Sequence, residues 1–322
     1  MARSRRVPKY DDLPLSPFGA RHSWDVPGCR GVGALGLVTD QERLAAIRAV
    51  RKGEVLSLVA DLGIMDPPLF GRAPMQRNLQ IKREGLLIDE SIDSFFPQVS
   101  SQWDGLNHVA AGPGVFYGGT HFESQTSGEA NGIDVWASRG IVGRGVLLDL
   151  ANIVRARGGP DGPGSSIELT ARDLADAATA QGVEIRCGDI LVIRTGFFEW
   201  YATLNREQRV RYSAMGPQVT AAGVEHSEDI VRFLWDSGVV AVATDALGLE
   251  AWPPNPSPER QPFGLLHSAL IGHLGIAIGE LWKLDRLHAR CAEDRCWEFL
   301  IVSVPLNLRG GTGSPSNAVA IL

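Results

Sequence analysis

The sequence of 322 residues is poor in cysteine: Cys29, Cys187, Cys291 and Cys296 are scattered and never form a C-x-x-C pair. That scarcity excludes a disulfide framework and a cysteine-rich zinc site, and makes a reducing, cytoplasmic setting the expectation. Positive charge is not in excess either, since 31 Lys and Arg stand against 37 Asp and Glu for a formal charge of -6. A nucleic-acid binder carries a basic footprint, so small-molecule chemistry is the better expectation. No apolar stretch follows the basic opening MARSRRVPKYDD, which therefore does not read as a secretory signal. The longest apolar run, from Leu265 to Trp282, is interrupted by two His, three Gly and one Glu. Unsatisfied polar groups are costly in hydrocarbon, so this run is expected to be a buried segment of a soluble enzyme rather than a membrane span.

Common catalytic signatures are missing as well. There is no P-loop, no G-x-S-x-G elbow, no H-E-x-x-H, and no G-x-G-x-x-G after a strand. The short repeats Gly112-Pro113-Gly114 and Gly143-Arg144-Gly145 read as turns. What the sequence does hold is glycine and proline, 37 and 19 residues, about 17% of the chain against an average of roughly 12%. Fourteen of the glycines fall in residues 105–164, which predicts shaped loops around one pocket. A hydrophobic content of 44% with only 21% charged residues is enough for a large core.

Periodicity points to α/β architecture. A helix is predicted from a Thr39 or Asp40 cap to Gly53, then a strand over residues 55–60. The apolar runs at 145–150, 189–196, 238–245 and 297–304 read as strands buried on both faces. Helices over 170–181 and 227–235 lie between them, and the many turns leave room for antiparallel pairing. Residues 1–37 read as an N-terminal arm wrapped over a single domain of residues 38–322.

The informative stretch is Gln98–His108. In an extended strand, residues two apart face one way, so Gln98, Ser100, Gln102, Asp104, Leu106 and His108 are expected on one side. Asp and His beside amide oxygens suit a divalent ion such as Mn²⁺ or Zn²⁺. The plainer alternative has Asp104 capping a turn and His108 in the core. A rival site begins at Tyr117 and contains Gly119-Thr120-His121 followed by Glu123, with Tyr117 and Ser127 where ligands would be needed. Asp245, ending an apolar strand, either orients a ligand histidine or caps a turn. Trp103 either stacks on an aromatic substrate or packs. His273 reads as core, and His22, His226 and His288 as surface residues.

The same stretch resembles the cyclase family that includes kynurenine formamidase and isatin hydrolase, whose signature is HxGTHxDxPxH. Laid on this chain, the signature sets Gln98 and Gln102 at its first two histidines, Asp104 at its aspartate and His108 at its last histidine. The similarity continues in SSQWDGLNHV, GRGVLLD, DILVIRTG, TDALGLEAWPP, LLHSALIGHLGIAIGELW and PLNLRGGTGSPSNAVAI, covering most of residues 40–322. It implies a compact swivelling β/β/α domain with a mixed sheet flanked by helices, assembled as a homodimer or homotetramer. It also implies His267 and Glu280 as the partners that complete a metal site with Asp104 and His108. Gln98 and Gln102, as neutral amides, are poor ligands, so one divalent ion, Mn or Zn, is expected with an open water position. Hydrolysis of a C–N bond in a formamide or cyclic amide follows, with His108 or Glu280 moving the proton. Trp103, Gln98, Gln102, Tyr117 and His121 would line the substrate pocket. Cyclisation, dehydration or lactone opening on the same site, or a non-catalytic homologue that binds a small molecule, are the alternatives.

Overall fold

Runs of apolar residues without polar alternation have no face to give to water, and they become strands covered on both sides. In the computed structural model, which describes residues 7–255 and 257–322, Ile141–Asp149, Ile190–Arg194, Ala241–Thr244 and Ala277–Glu280 lie side by side and parallel. The remaining run, Glu298–Ser303, pairs antiparallel with Ile141–Asp149. Among the described residues the sheet has nine strands, in the order Val55–Ser57, Ala318–Ile321, Glu298–Ser303, the four parallel strands, Gln102–Asp104 and Gly313–Pro315. Both outer parts are antiparallel. The result is a mixed α/β sheet flanked by helices, with one large hydrophobic core.

The helices start where the caps predict. Thr39 with Glu42 and Thr170 with Asp173 form capping boxes at Asp40–Arg48 and Ala171–Gln181, and Ser227 caps Glu228–Asp236. The first helix stops at Arg48, short of Gly53. The segment before residue 38 buries Tyr10, Leu13, Cys29 and Ala34 in the common core. Its backbone is tied to the chain after His267, with Ser23 N donating to His273 O at 3.0 Å and Ala34 N to Gly275 O at 2.7 Å.

Two expectations change. Gly143-Arg144-Gly145 is not a turn but the middle of the strand Ile141–Asp149. A Cβ on Gly145 would stand 2.4 Å from the Phe299 ring, so this glycine thins the strand where the neighbouring one presses in. The run from Leu265 to Trp282 is buried as expected, but it divides into a π-helix, Ser268–Leu274, and the strand Ala277–Glu280. No helix among the described residues is long and apolar enough to cross a membrane. One element stands apart from the core: among the described residues, Gln76–Lys82 and Leu87–Asp93 pair only with each other, and all their residues are exposed.

Where two central strands end, Arg194 donates to Asp149 at 2.7 Å and His288 Nε2 lies 2.9 Å from the same carboxylate. Burial raises the Asp149 carboxyl, but His288 and Arg194 outweigh it and hold it at about 2, below the ordinary 3.8. A depressed carboxyl stabilises the fold above its unfolded pKa and loses that contribution as pH falls through the folded one. Asp149→Asn is therefore expected to cost about 2 kcal/mol at pH 7. In urea unfolding, the gap between variant and wild type should shrink as pH drops from about 4 towards 2.

Candidate metal centre

The site is built on the seam where Gln102–Asp104 joins Ala277–Glu280. Their antiparallel register sets Gln102 opposite Glu280 and Asp104 opposite Ile278, so Gln102, Asp104 and Glu280 share one face of the sheet. On the other side of the same short strand, Gly313 pairs with Asp104, and a Cβ there would stand 2.5 Å from Gln98 Nε2. His267 enters from the residue before the π-helix. Its Nε2 lies 3.0 Å from Glu280 Oε1 and 3.7 Å from Asp104 Oδ2, while its Nδ1 lies 2.8 and 3.0 Å from the two oxygens of Glu250. Asp104, Glu250, His267 and Glu280 are all buried.

Three carboxylates around one imidazole, out of water, make a strong local field. Burial pushes the Glu280 carboxyl up, the charge of Asp104 pushes it further, and it reaches about 7 despite His267. Burial raises Asp104 too, but His108, His267 and Arg72 hold it below its ordinary value. For His267 burial disfavours the charged ring, yet Glu250, Asp104 and Glu280 carry its pKa well above 6.5. His108 goes the other way, lowered chiefly by burial against the pull of Asp104.

This geometry fits a divalent cation. With Nδ1–H directed at Glu250, Nε2 of His267 faces two carboxylates, an arrangement that needs positive charge there: a divalent ion between them, or a second proton on the ring. Ligand atoms of Asp104, His267 and Glu280 lie within 4.8 Å of one another. The 3.0 and 3.7 Å separations suit neighbouring ligands held about 2.0–2.2 Å from one ion. Asp104 Oδ2 is buried and accepts no hydrogen bond, leaving an acceptor for that ion. A carboxylate on the far nitrogen of a ligand histidine is the arrangement that fixes its tautomer.

Of the four expected ligands, the structure therefore gathers three and sets His108 at the rim. Its Nε2 lies 3.6 Å from Asp104 Oδ1 and its side chain is 31% exposed, the most open position around the cluster. Gln98 reaches it, with Nε2 3.4 Å from His108 Nδ1. Gln102 belongs to the cluster itself, its Nε2 donating to Glu280 Oε2 at 2.8 Å and to Asp104 Oδ1 at 3.4 Å. The amide thus offers the two carboxylates a donor at the position where the family signature has a histidine.

Other expected residues lie elsewhere. The strand covers only residues 102–104, so the alternation predicted over Gln98–His108 breaks at both ends; Ser100 donates to Asp61 O and Leu106 joins the core. Trp103 points to the opposite face, fully buried, with Nε1 donating to Ser303 Oγ at 2.9 Å and its ring edge-on to Trp282. That burial rules it out as a stacking surface. The Tyr117 hydroxyl donates to Cys29 O at 3.1 Å, and the residue borders a separate cavity of about 300 Å³ with Arg30 and Asn131. His121 is exposed before the short helix Phe122–Thr126 and outside the cluster. Asp245 accepts from the backbone of Thr195, Gly196 and Phe197 and from Thr195 Oγ1, so it ties down the turn after Ile190–Arg194. The residue that orients His267 is Glu250, five positions on in the same turn. Its signal was present as the second acid of TDALGLE. His226 is not at the surface: it is buried, 2.8 Å from Glu168.

The family described as Putative cyclase matches residues 65–251. A crystal structure of a novel cyclase is similar over 94% of this chain and 99% of its own, at 28% identity and a TM-score of 0.78. An isatin hydrolase bound to the product analogue thioisatinate aligns at 16% identity with a TM-score of 0.58, over 88% of this chain and 99% of its own. Isatin hydrolase A from Ralstonia solanacearum aligns at 18% identity with a TM-score of 0.58, over 88% and 97%. Among curated proteins nothing matches.

Glu250→Gln keeps the size of the side chain but removes the charge that orients His267. Affinity for Mn²⁺ or Zn²⁺, measured by calorimetry, is expected to fall about 10- to 100-fold while the far-ultraviolet spectrum is unchanged.

Proposed function

The chain belongs to the cyclase family, whose match spans more than half its length, and on that premise we propose that it is a metal-dependent hydrolase. Its substrate on this reading is a small formamide or cyclic amide, opened at a non-peptide C–N bond. The observation that carries the reading is the buried Asp104–His267–Glu280 cluster, with Asp104 Oδ2 left without a partner. Asp104, His267 and Glu280 would hold the ion, Mn²⁺ or Zn²⁺, with His108 beside it. A bound divalent ion supplies a water acidified towards neutrality and a Lewis acid for the carbonyl.

The chain's own residues do the rest. Glu250 holds the His267 ring through Nδ1, and Gln102 fixes Glu280 by Oε2. His108 stands at the open rim with its pKa below 6.5, so at neutral pH its ring is an uncharged base. It takes the proton from the attacking water and returns it to the leaving nitrogen.

A second reading has one observation behind it. The contacts of His267 to Glu250 and Glu280 also suit a protonated ring, which would satisfy the carboxylates without metal in a homologue that only binds a small molecule. The test is turnover of a panel of formamides, cyclic imides and lactones with Mn²⁺, Zn²⁺ and chelator. Metal-dependent ring or formyl cleavage is expected, reduced at least about 100-fold by Asp104→Asn, whose melting temperature should stay within a few degrees of the wild type's in chelator. Equal turnover with chelator, or none with any substrate, contradicts the hydrolase reading.

A further inference from the structure

Two arginines buried in the fold are both saturated by acids. Arg144 meets Asp189 at 2.7 Å and Glu298 at 2.6 Å, and Arg194 meets Asp149 at 2.7 Å and Glu199 on its other edge. Arg72 is different. It is half-buried, and among the described residues its guanidinium makes one hydrogen bond, from Nη1 to Gln98 O at 2.5 Å, and no ion pair. A guanidinium carries five N–H donors, and drawing its charge out of water with no acid in contact is costly. Burial holds its pKa below the ordinary value, against the pull of Glu280 and Asp104, which act on it only through space.

Its place is fixed from both sides of the metal centre. Gln98, four residues before Gln102, also reaches His108, with Nε2 3.4 Å from Nδ1. On the other side the Arg72 guanidinium carbon lies 5.3 Å from the centre of the Phe70 ring. That ring meets Trp252, two residues beyond Glu250, edge-on at 5.4 Å. Phe70 sits there in a left-handed backbone conformation, φ 60°, which a bulky residue rarely adopts and which concentrates at functional sites. The segments that carry His108 and Glu250 therefore both anchor Arg72. Its charge is felt at the centre, where it helps to hold Asp104 low and opposes a proton on His108.

We propose that Arg72 is a specificity-determining residue of this site and that the substrate carries a carboxylate, which takes its free donors. The inference rests on the hydrolase reading for where the substrate lies, and it narrows the formamides and cyclic amides of that reading to those that bear an acid. One cation beside a cluster of acids suits a singly charged anion, since a dianion would meet Asp104 and Glu280 with nothing further to balance it. Nη1 is held by Gln98, so the edge formed by Nε and Nη2 is open. A planar carboxylate matches that edge through two parallel hydrogen bonds.

Matched pairs separate charge from shape: N-formylglycine, N-formyl-β-alanine and N-formyl-4-aminobutyrate, each beside its carboxamide. Binding to the Zn²⁺-loaded chain is followed by ligand-observed NMR titration. The wild type is expected to bind the best acid at least about 10-fold tighter than its carboxamide. In Arg72→Gln that ratio should fall to about 1, and Arg72→Lys should restore part of it. Equal binding of acid and carboxamide by the wild type overturns the proposal. So does a preference that survives Arg72→Gln, because an acid held only by the ion keeps its advantage without the guanidinium. Should Arg72→Gln not fold, the wild type decides. The best acid should slow modification of Arg72 by phenylglyoxal, read by peptide mass spectrometry, while its carboxamide does not; absence of protection overturns the assignment. Turnover of the same pairs is a separate reading. Arg72-dependent binding without cleavage would contradict the hydrolase alone, and cleavage without preference for the acids would contradict the carboxylate site alone.

Discussion

An imidazole wedged between acids that water cannot reach is the constraint on which the rest of the site depends. Glu250 draws the Nδ1 proton of His267, which leaves Nε2 to face Asp104 and Glu280. Carboxylates stripped of water and crowded on one nitrogen need positive charge, from a bound ion or from a proton on the ring. The protein meets that demand only in part: Gln102 and the Leu249 backbone give Glu280 a donor on each oxygen, and Asp104 Oδ2 receives none.

The scaffold explains why these side chains stay so close. A strand of only three residues, Gln102–Asp104, is clamped on both edges, and its alternation sends Asp104 and Gln102 to the site while Trp103 anchors the far face. Gly313 lets Gln98 approach, and Gly279 lies against both Trp103 and Trp282. The glycine surplus after residue 105 is thus partly loops, as at Gly114 and Gly118 with positive φ, and partly thinning of strands, as at Gly145.

Much of this could be read from residue order. Continuous apolar runs announced the central strands because burial on both faces removes alternation, and the capping boxes at Thr39 and Thr170 announced two helix starts. Asp104, His267 and Glu280 were reached through the family signature, since nothing local links residues more than 150 positions apart. For Trp103 the packing alternative holds: alternation already sets it opposite Gln102 and Asp104, and the pairing with Gly279 and Ser314 buries that face. Of the two roles open to Asp245 the structure shows the turn, and orienting His267 falls to Glu250, which residue order alone does not single out. Both are acids in one turn, but the one bonded by three backbone amides is already satisfied, and the other is free to turn towards His267. The exposed ribbon left little trace: its apolar residues alternate as in any half-buried strand.

The central claim is that a cation, not a proton, balances the acids around His267. Crystals grown with Mn²⁺ and measured on both sides of the manganese absorption edge put that claim to the most direct test. The account predicts one anomalous peak, bonded to Asp104, His267 Nε2 and Glu280 and absent after chelation. An empty centre, with His267 Nε2 hydrogen-bonded directly to Glu280 in the presence of excess metal, would contradict it.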